Sequence, residues 1–139
     1  MKIFSTIPIL LLITIVSCSS SKPYKADKGH QAQHEGIILQ GKNHHLEIVG
    51  THHDVKIFPL HEAAAGSTQL NPIPLDKVKL TVTYSPIKSE ANYSVYLIAK
   101  EDHFWGEIDE KGENGYQLYI TMKIAGKTEN YIYVVRPTK

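Results

Sequence analysis

The chain has 139 residues, with 15 Lys and Arg against 14 Asp and Glu, and a formal net charge of +1 at pH 7. This balance excludes the strongly basic surface typical of nucleic-acid-binding proteins, and the length suits one domain with a modest hydrophobic core. Cys18 is the only cysteine, so the chain can form no internal disulfide, and no thiol remains for catalysis or for a metal site in the domain.

The N-terminus has the order of residues expected of a cleavable export signal. Lys2 precedes an apolar run from Ile7 to Val16, and the small residue Ser17 stands directly before Cys18. The run is shorter than the roughly 20 apolar residues that cross a bilayer as a helix, so a permanent membrane span is disfavoured. We therefore predict a signal peptide at residues 1–17.

The residues around the cysteine, Ile15-Val16-Ser17-Cys18, resemble a bacterial lipobox. The resemblance implies that Cys18 receives a diacylglycerol group and further acyl chains such as palmitate, which together anchor the chain in a membrane. Ser19 stands where inner-membrane lipoproteins of Gram-negative bacteria often carry Asp. This implies an outer-membrane lipoprotein that faces the periplasm. The alternative is an ordinary secretory signal in which the cysteine is incidental.

Residues 18–33 are rich in Ser, Lys, Gln and Asp and have no apolar period, which predicts a flexible tether. From His34 onward, short β-like runs alternate with turn residues at regular spacing, as in a sandwich or barrel. We predict a small antiparallel β-sandwich, all-β and immunoglobulin-like, over residues 34–139 with about seven to eight strands. The predicted strands are Gly36–Gln40, His44–Gly50, Asp54–Leu60, Val78–Tyr84, Tyr93–Lys100, Phe104–Ile108, Tyr116–Ile124 and Tyr131–Arg136.

Turn residues divide these strands. Gly and Asn tolerate positive φ, so hairpins are predicted at Gly41-Lys42-Asn43, 111–115 and Ala125-Gly126-Lys127. The segment from His61 to Pro74 predicts a long connection that crosses the sandwich. Within it, only Glu62-Ala63-Ala64-Ala65 has the composition of a helical turn, and the chain has no pattern that predicts an amphipathic helix.

The chain contains eight histidines, nearly all in the first half of the exported part. Neutral imidazole is the most common protein ligand for transition metals such as zinc and copper. If residues 44–49 form a strand with Leu46 and Ile48 inward, His45 and Glu47 share its outer face. Residues two positions apart on a strand lie about 7 Å apart, so these two side chains can converge on one ion.

A hairpin that turns at Gly41-Lys42 would bring further residues to this face. It places Gly36 opposite Glu47, where the missing side chain leaves room for an ion or its bound water, and it brings His34 within reach of Glu47. A register change of one residue would move every side chain to the other face. The predicted ligands of zinc or copper(II) are His34, His45 and Glu47, with His44 and His53 as candidates for a fourth ligand.

The histidines also have a simpler interpretation as solvated polar residues at strand ends. His53 precedes Asp54 in a predicted turn, where that aspartate would hydrogen-bond the local backbone. His30 belongs to the predicted tether as a soluble spacer. His103 adjoins Phe104-Trp105, so aromatic packing explains it as readily as metal ligation does.

One motif resembles that of small exported proteins and domains found with bacterial heavy-metal efflux systems of the RND type. In that motif a His-Gly-Gly start and a turn lead into an aromatic-His-Leu-Glu-Leu/Val-Val strand, and the counterparts are residues 34–36 and 44–49. Residues 54–60 and 79–83 are similar to its third and fourth strands. The resemblance implies metal binding. This chain departs from the motif at Glu35, which replaces the first glycine, and at His44, which replaces the aromatic residue.

These features predict a membrane-anchored periplasmic protein that buffers or delivers zinc or copper(II) to an envelope efflux or homeostasis system. The alternative is a non-catalytic interaction subunit of an envelope assembly, and pH sensing by clustered histidines also stays open. We predict no enzymatic activity and no catalytic residue, because neither Gly-x-Ser-x-Gly nor His-Glu-x-x-His occurs. Tyrosine is enriched at interfaces, and the contact residues of an interaction subunit would be Tyr93, Tyr96, Tyr131 and Tyr133.

Overall fold

A computed structural model describes residues 26–27, 29–109 and 114–136 of the chain. The predicted signal peptide at 1–17 and the predicted lipidation site at Cys18 lie outside the described residues, and both stay predictions. None of the helical structure in the described ranges has the length and apolar character that a membrane span requires.

Ten strands and one short 3-10 turn, η1 (Leu75–Lys77), occur in the described residues. In chain order the strands are β1 (Ile37–Gln40), β2 (His45–Gly50), β3 (Asp54–Glu62), β4 (Leu70–Pro72), β5 (Val78–Pro86), β6 (Tyr93–Val95), β7 (Leu97–Ala99), β8 (Phe104–Glu107), β9 (Tyr116–Ile124) and β10 (Lys127–Val135).

The strands form two antiparallel sheets. The six-stranded sheet has the order β1-β2-β3-β8-β7, with β4 also paired to β3, and the four-stranded sheet has the order β10-β9-β5-β6. The predicted all-β sandwich is therefore confirmed. Both sheets turn one apolar face inward and pack face to face, as two-layer β domains do to bury apolar side chains.

The main core lies between the sheets. Leu118, Ile120 and Met122 of β9 are at most 1% exposed, and Leu46 and Ile48 of β2 belong to the same cluster. Successive side chains of a strand point to opposite faces. The inward position of Leu46 and Ile48 therefore places the residues between and beside them on the outer face of the six-stranded sheet.

The outer face of this sheet carries a second, smaller apolar cluster. Ile38, Leu60 and Leu70 are buried there, and Ala32 packs against them. Ala32 belongs to a stretch of chain, residues 26–27 and 29–33, that we call the N-terminal segment. The outer face of β1, β2 and β3 is thus covered by chain rather than open to solvent.

The N-terminal segment runs along the edge of β1. The backbone N–H of Asp27 donates to the Ile38 carbonyl at 2.8 Å, and Ala26 forms an isolated antiparallel bridge with Leu39. The sequence assigns these residues to a flexible tether at 18–33, whereas the structure packs them against the sheet. Polar contacts and one small apolar side chain hold them, so no apolar period marks them in the sequence.

The sequence predicts that the segment from His61 to Pro74 is one long connection across the sandwich, and this prediction is wrong. The chain turns at Gly66, whose φ is 77°, and returns as β4 beside the end of β3. The predicted helical turn at 62–65 is not formed. Only the residues after β4 pass to the other sheet, through η1. Since β4 is short and ends on Pro72, it lacks the alternation that marks a strand in the sequence.

The predicted strand from Tyr93 to Lys100 is divided between the two sheets. β6 pairs with β5 and β7 pairs with β8, and Tyr96 at the crossing is 83% exposed. Of the four tyrosines predicted as contact residues, Tyr93 and Tyr96 are exposed and Tyr133 is half-buried, but Tyr131 is fully buried. Tyr131 is therefore a core residue.

Candidate metal centre

The candidate site lies on the outer face of β2, beneath the N-terminal segment. His45 and Glu47 share this face, and they are only 3% and 0% exposed. A polar side chain that loses its contact with water must find other partners, or its burial costs free energy. The partners of His45 and Glu47 therefore decide what each of them does.

His45 lies beside Asp27 and His30, both from the N-terminal segment. Asp27 Oδ2 hydrogen-bonds with His30 Nδ1 and stands 3.5 Å from His45 Nε2. The two imidazole rings meet edge to face, with centroids 4.6 Å apart. One ligand atom from each of the three residues lies within 4.8 Å of the other two. We call these three residues the His45 cluster.

The His45 ring is left without hydrogen bonds. Among the described residues, neither Nδ1 nor Nε2 of His45 has a hydrogen-bond partner, and both atoms are buried. The 3.5 Å separation from Asp27 Oδ2 is longer than a normal hydrogen bond. An unsatisfied buried polar group costs about 1–3 kcal/mol. A metal ion that accepts the lone pair of this imidazole would remove that cost.

The two histidines of the cluster have pKa values shifted in opposite directions, and the shift of His45 favours cation binding. Burial lowers the pKa of His45 below its ordinary value of 6.5, and the neighbouring His30 lowers it further, so His45 is neutral at pH 7. Burial also favours neutral His30, but its hydrogen bonds with Asp27 and with the Ser67 carbonyl outweigh burial and raise its pKa. Because the Asp27 carboxylate accepts at His30 Nδ1, a metal ion bound to that atom would replace the proton of this hydrogen bond.

The second ring nitrogen of His30 is also placed as in a metal ligand. Its Nε2 lies 2.9 Å from the Ser67 carbonyl oxygen, which can only accept, so Nε2 carries a proton. Histidines that bind metals usually donate their other ring N–H to a carboxylate or a backbone carbonyl, which fixes the orientation of the ring. This leaves Nδ1, beside Asp27, as the ligand atom.

Glu47 has the opposite environment, because its carboxylate is saturated with donors. The backbone N–H groups of His34 and Gly36 donate to Oε1 at 2.7 and 3.0 Å, and that of Gln33 donates to Oε2 at 3.0 Å. Burial alone would raise the pKa of Glu47, but these hydrogen bonds and that of the His34 side chain hold it below its ordinary value. Glu47 thus organises the chain that leads into β1.

His34 lies within reach of Glu47, where the sequence places it, but it is held as a structural partner. Its Nδ1 donates to Glu47 Oε2 at 3.0 Å, and its ring stacks on Phe58 with centroids 3.7 Å apart. The register differs from the prediction, since Ile38 rather than Gly36 stands opposite Glu47. A Cβ on Gly36 would lie 2.6 Å from the Ile48 carbonyl oxygen, so backbone fills the space predicted for an ion.

His44 and the buried Glu129 form a third arrangement, at the turn before β2. Glu129 Oε2 accepts from His44 Nδ1 at 2.7 Å, and its Oε1 accepts from the Asn43 N–H at 2.8 Å. Tyr131 adds a hydrogen bond from its hydroxyl to the His44 carbonyl, at 3.2 Å. Because Glu129 belongs to β10, these contacts tie the β1–β2 turn to the edge of the other sheet.

The structure brings one of the five predicted ligands, His45, into the three-residue cluster. His53 is exposed and lies in the β2–β3 turn, at the other end of β2 from His45. Asp27 and His30 were not predicted as ligands, because they lie in a segment that reads as a tether. The sequence signal for these two ligands was the spacing Asp27-x-x-His30, in which the two residues are three positions apart.

Acid should destabilise the fold through its buried glutamates. The pKa values of Glu47 and Glu129 lie below the ordinary value of 4.5 in the folded chain. Their contribution to stability is fully present above the unfolded-state pKa and is lost as the pH falls through the folded-state pKa. We expect the free energy of unfolding, measured with urea, to decrease from about pH 5 to pH 3.

A matched pair of variants tests the origin of this pH dependence. Glu129→Gln should flatten the acid limb of the stability curve, because the amide does not titrate. Glu107→Gln, at an exposed position of β8, should leave it unchanged. Equal slopes for the wild type and Glu129→Gln would contradict the assignment.

Comparison with protein-family models, with curated proteins and with solved structures finds no match for this chain.

Proposed function

We propose that this chain is a membrane-anchored periplasmic binding protein for a divalent transition metal, zinc or copper(II), that serves metal efflux or homeostasis in the envelope. One observation carries the proposal. His45 is buried on β2 with both ring nitrogens lacking hydrogen-bond partners among the described residues, and a carboxylate oxygen and a second imidazole nitrogen lie within 4.8 Å of its ring nitrogen and of each other.

The donor set supports zinc or copper(II). Two imidazoles, which are borderline ligands, together with one carboxylate suit zinc, copper(II), nickel and cobalt, whereas calcium and magnesium prefer oxygen ligands alone. Of the two thioethers in the chain, that of Met122 lies in the main core, on the other side of the sheet from His45. Monovalent copper, which prefers soft sulfur ligands, is therefore disfavoured.

The three protein ligands found in the described part of the chain would leave one position of a tetrahedral ion for water or for a further ligand. Closed four-ligand sites store an ion for structural purposes, whereas three-ligand sites keep the ion accessible. An open coordination position supports the ligand exchange that buffering and delivery require better than a closed structural site does. Cys18, the proposed anchor, precedes Asp27 by nine residues, a contour of roughly 30 Å, so the ion would be held close to the membrane.

Calorimetric titration of the purified full-length chain in detergent tests the proposal. We expect one zinc or copper(II) ion per chain, bound with proton release from His30. His45→Ala should weaken binding by more than about 100-fold, because losing a ligand exceeds the loss of about 10–100-fold that follows removal of an outer-shell partner.

His53→Ala is the matched control, since His53 is an exposed histidine that lies outside the His45 cluster. It should leave affinity and stoichiometry unchanged. Equal weakening in the two alanine variants, or wild-type binding no tighter than that of a surface histidine, would refute a specific site at His45.

A further inference from the structure

We infer that an ion in the His45 cluster acts as a clasp that fastens the N-terminal segment onto the outer face of the sheet, so that occupancy decides whether the segment is docked. This inference rests on the proposed function and adds a regulatory consequence to it. Its basis is the distribution of the three ligands between two parts of the chain.

Two ligands belong to the segment and one belongs to the sheet. Asp27 and His30 are three residues apart and lie together by local geometry, while His45 is fixed in β2 by ladder hydrogen bonds to β1 and β3. An ion bound by all three residues must link the N-terminal segment to β2. By mass action, it then stabilises the docked arrangement over any arrangement that separates the ligands.

Without the ion, few contacts hold the segment. In the described residues, they are the Asp27 backbone hydrogen bond to Ile38 and the Ala26 bridge with Leu39, the contacts of Asp27 and His30 with His45, the His30 contact with the Ser67 carbonyl, and the hydrogen bond from the Gln33 side chain to the Leu70 carbonyl at 2.9 Å. Among its described residues, the segment packs one apolar side chain, that of Ala32, against the small cluster. Segments with so little buried apolar area open at low free-energy cost.

The release has a defined end point at Gln33. Its backbone N–H donates to Glu47, as do those of His34 and Gly36, and none of these bonds involves the His45 cluster. Gln33 is therefore a hinge: the chain after it stays fixed in both states. Undocking would uncover His45 together with Ile38 and Leu60 of the small apolar cluster, so the ion-free chain presents an apolar patch that the ion-bound chain hides.

The hinge position gives the clasp a mechanical consequence for an anchored chain. In the described residues, the docked chain meets the sheet from Ala26 onward, and the released chain would meet it from Gln33 onward. If Cys18 is anchored in the membrane, release would therefore lengthen the connection between the anchor and the sandwich by up to seven residues. Metal occupancy would then set how far the domain reaches from the membrane.

Amide hydrogen exchange on the full-length chain in detergent, with chelator or with zinc, tests the clasp. Zinc should slow exchange of the Asp27 amide by about tenfold or more, whereas the His34 and Gly36 amides should exchange slowly in both conditions. His45→Ala should remove the zinc effect on Asp27 and preserve slow exchange at His34 and Gly36, which checks that the variant is folded. His53→Ala should behave as the wild type does.

The possible failures are distinguishable. If calorimetry detects zinc at the His45 cluster but the Asp27 amide exchanges equally fast with zinc and with chelator, the clasp is refuted and the proposed function stands. If neither zinc nor copper(II) binds, the proposed function and the clasp both fail. A zinc effect on Asp27 that persists in His45→Ala also refutes the clasp, because the sheet ligand would then be unnecessary.

Discussion

Glu47→Ala is expected to lower the free energy of unfolding by about 3–5 kcal/mol, the cost of breaking a buried charged network by removing one partner. The substitution leaves three backbone N–H groups, those of Gln33, His34 and Gly36, without their acceptor. It also removes the hydrogen-bond partner of the His34 ring. Each buried donor left unsatisfied costs about 1–3 kcal/mol, and water enters only at the expense of the packing around Phe58.

Urea unfolding at neutral pH measures this effect. Glu47→Gln should lose less than Glu47→Ala, because the amide oxygen still accepts while the amide nitrogen opposes a backbone donor. Glu107→Ala, the exposed control on β8, should change stability by no more than about 0.5 kcal/mol. A loss below about 1 kcal/mol in Glu47→Ala would mean that the donors find other acceptors, and Glu47 would not be the organising residue.

The number of histidines beside each carboxylate explains why Asp27 suits a metal site and Glu47 and Glu129 do not. Glu47 and Glu129 each accept from backbone N–H groups and from one histidine. Asp27 likewise accepts from a backbone N–H, that of Gly29, and from His30, but it also faces a second histidine that has no hydrogen-bond partner among the described residues. Two imidazoles thus converge on one oxygen of Asp27, which is the arrangement that a cation completes; His34 and His103 also face one carboxylate, that of the exposed Asp102, but through different oxygens.

Strand parity made part of this arrangement predictable. The alternation of Leu46 and Ile48 places His45 and Glu47 on one face, and the structure confirms the all-β sandwich that such alternation predicts. Parity does not tell whether the outer face is covered. The covering segment is polar and carries Asp27 and His30 in a stretch without apolar period, so its docking depends on hydrogen bonds that composition does not encode.

The register of β1 with β2 and the start of β10 were less predictable, because side-chain alternation fixes neither of them. The β1–β2 pairing differs by two residues from the prediction, so that Ile38 faces Glu47, and parity is unchanged by such a shift. β10 begins at Lys127 instead of Tyr131 because Ala125 and Gly126 both have positive φ and form a tight hairpin. The residues that follow are polar, and Glu129 among them is buried as the partner of the β1–β2 turn.

His45→Leu is expected to stabilise the metal-free chain while it abolishes the response to metal. With chelator present, the variant should be more stable than the wild type by about 1 kcal/mol or more, because it removes a buried, unsatisfied imidazole. Leu60 stands opposite His45 on β3, so a leucine at this position extends the small apolar cluster. With zinc at about 100 times the dissociation constant, the wild type should gain about 2.7 kcal/mol and the variant nothing.

Two further variants serve as controls. One separates the effect of removing the polar imidazole from the effect of losing side-chain volume, and the other compares His45 with a histidine at the surface. His45→Ala also loses the zinc response, but it leaves a cavity and should be less stable than His45→Leu in chelator. His53→Leu, at an exposed position, should change stability by no more than about 0.5 kcal/mol and should keep the zinc response. A His45→Leu chain that is less stable than the wild type in chelator would mean that the imidazole has partners in solution. The unsatisfied ring would then no longer argue for an ion. A gain in stability at the expense of binding is what we expect where a polar residue is kept in an apolar setting for its ligand.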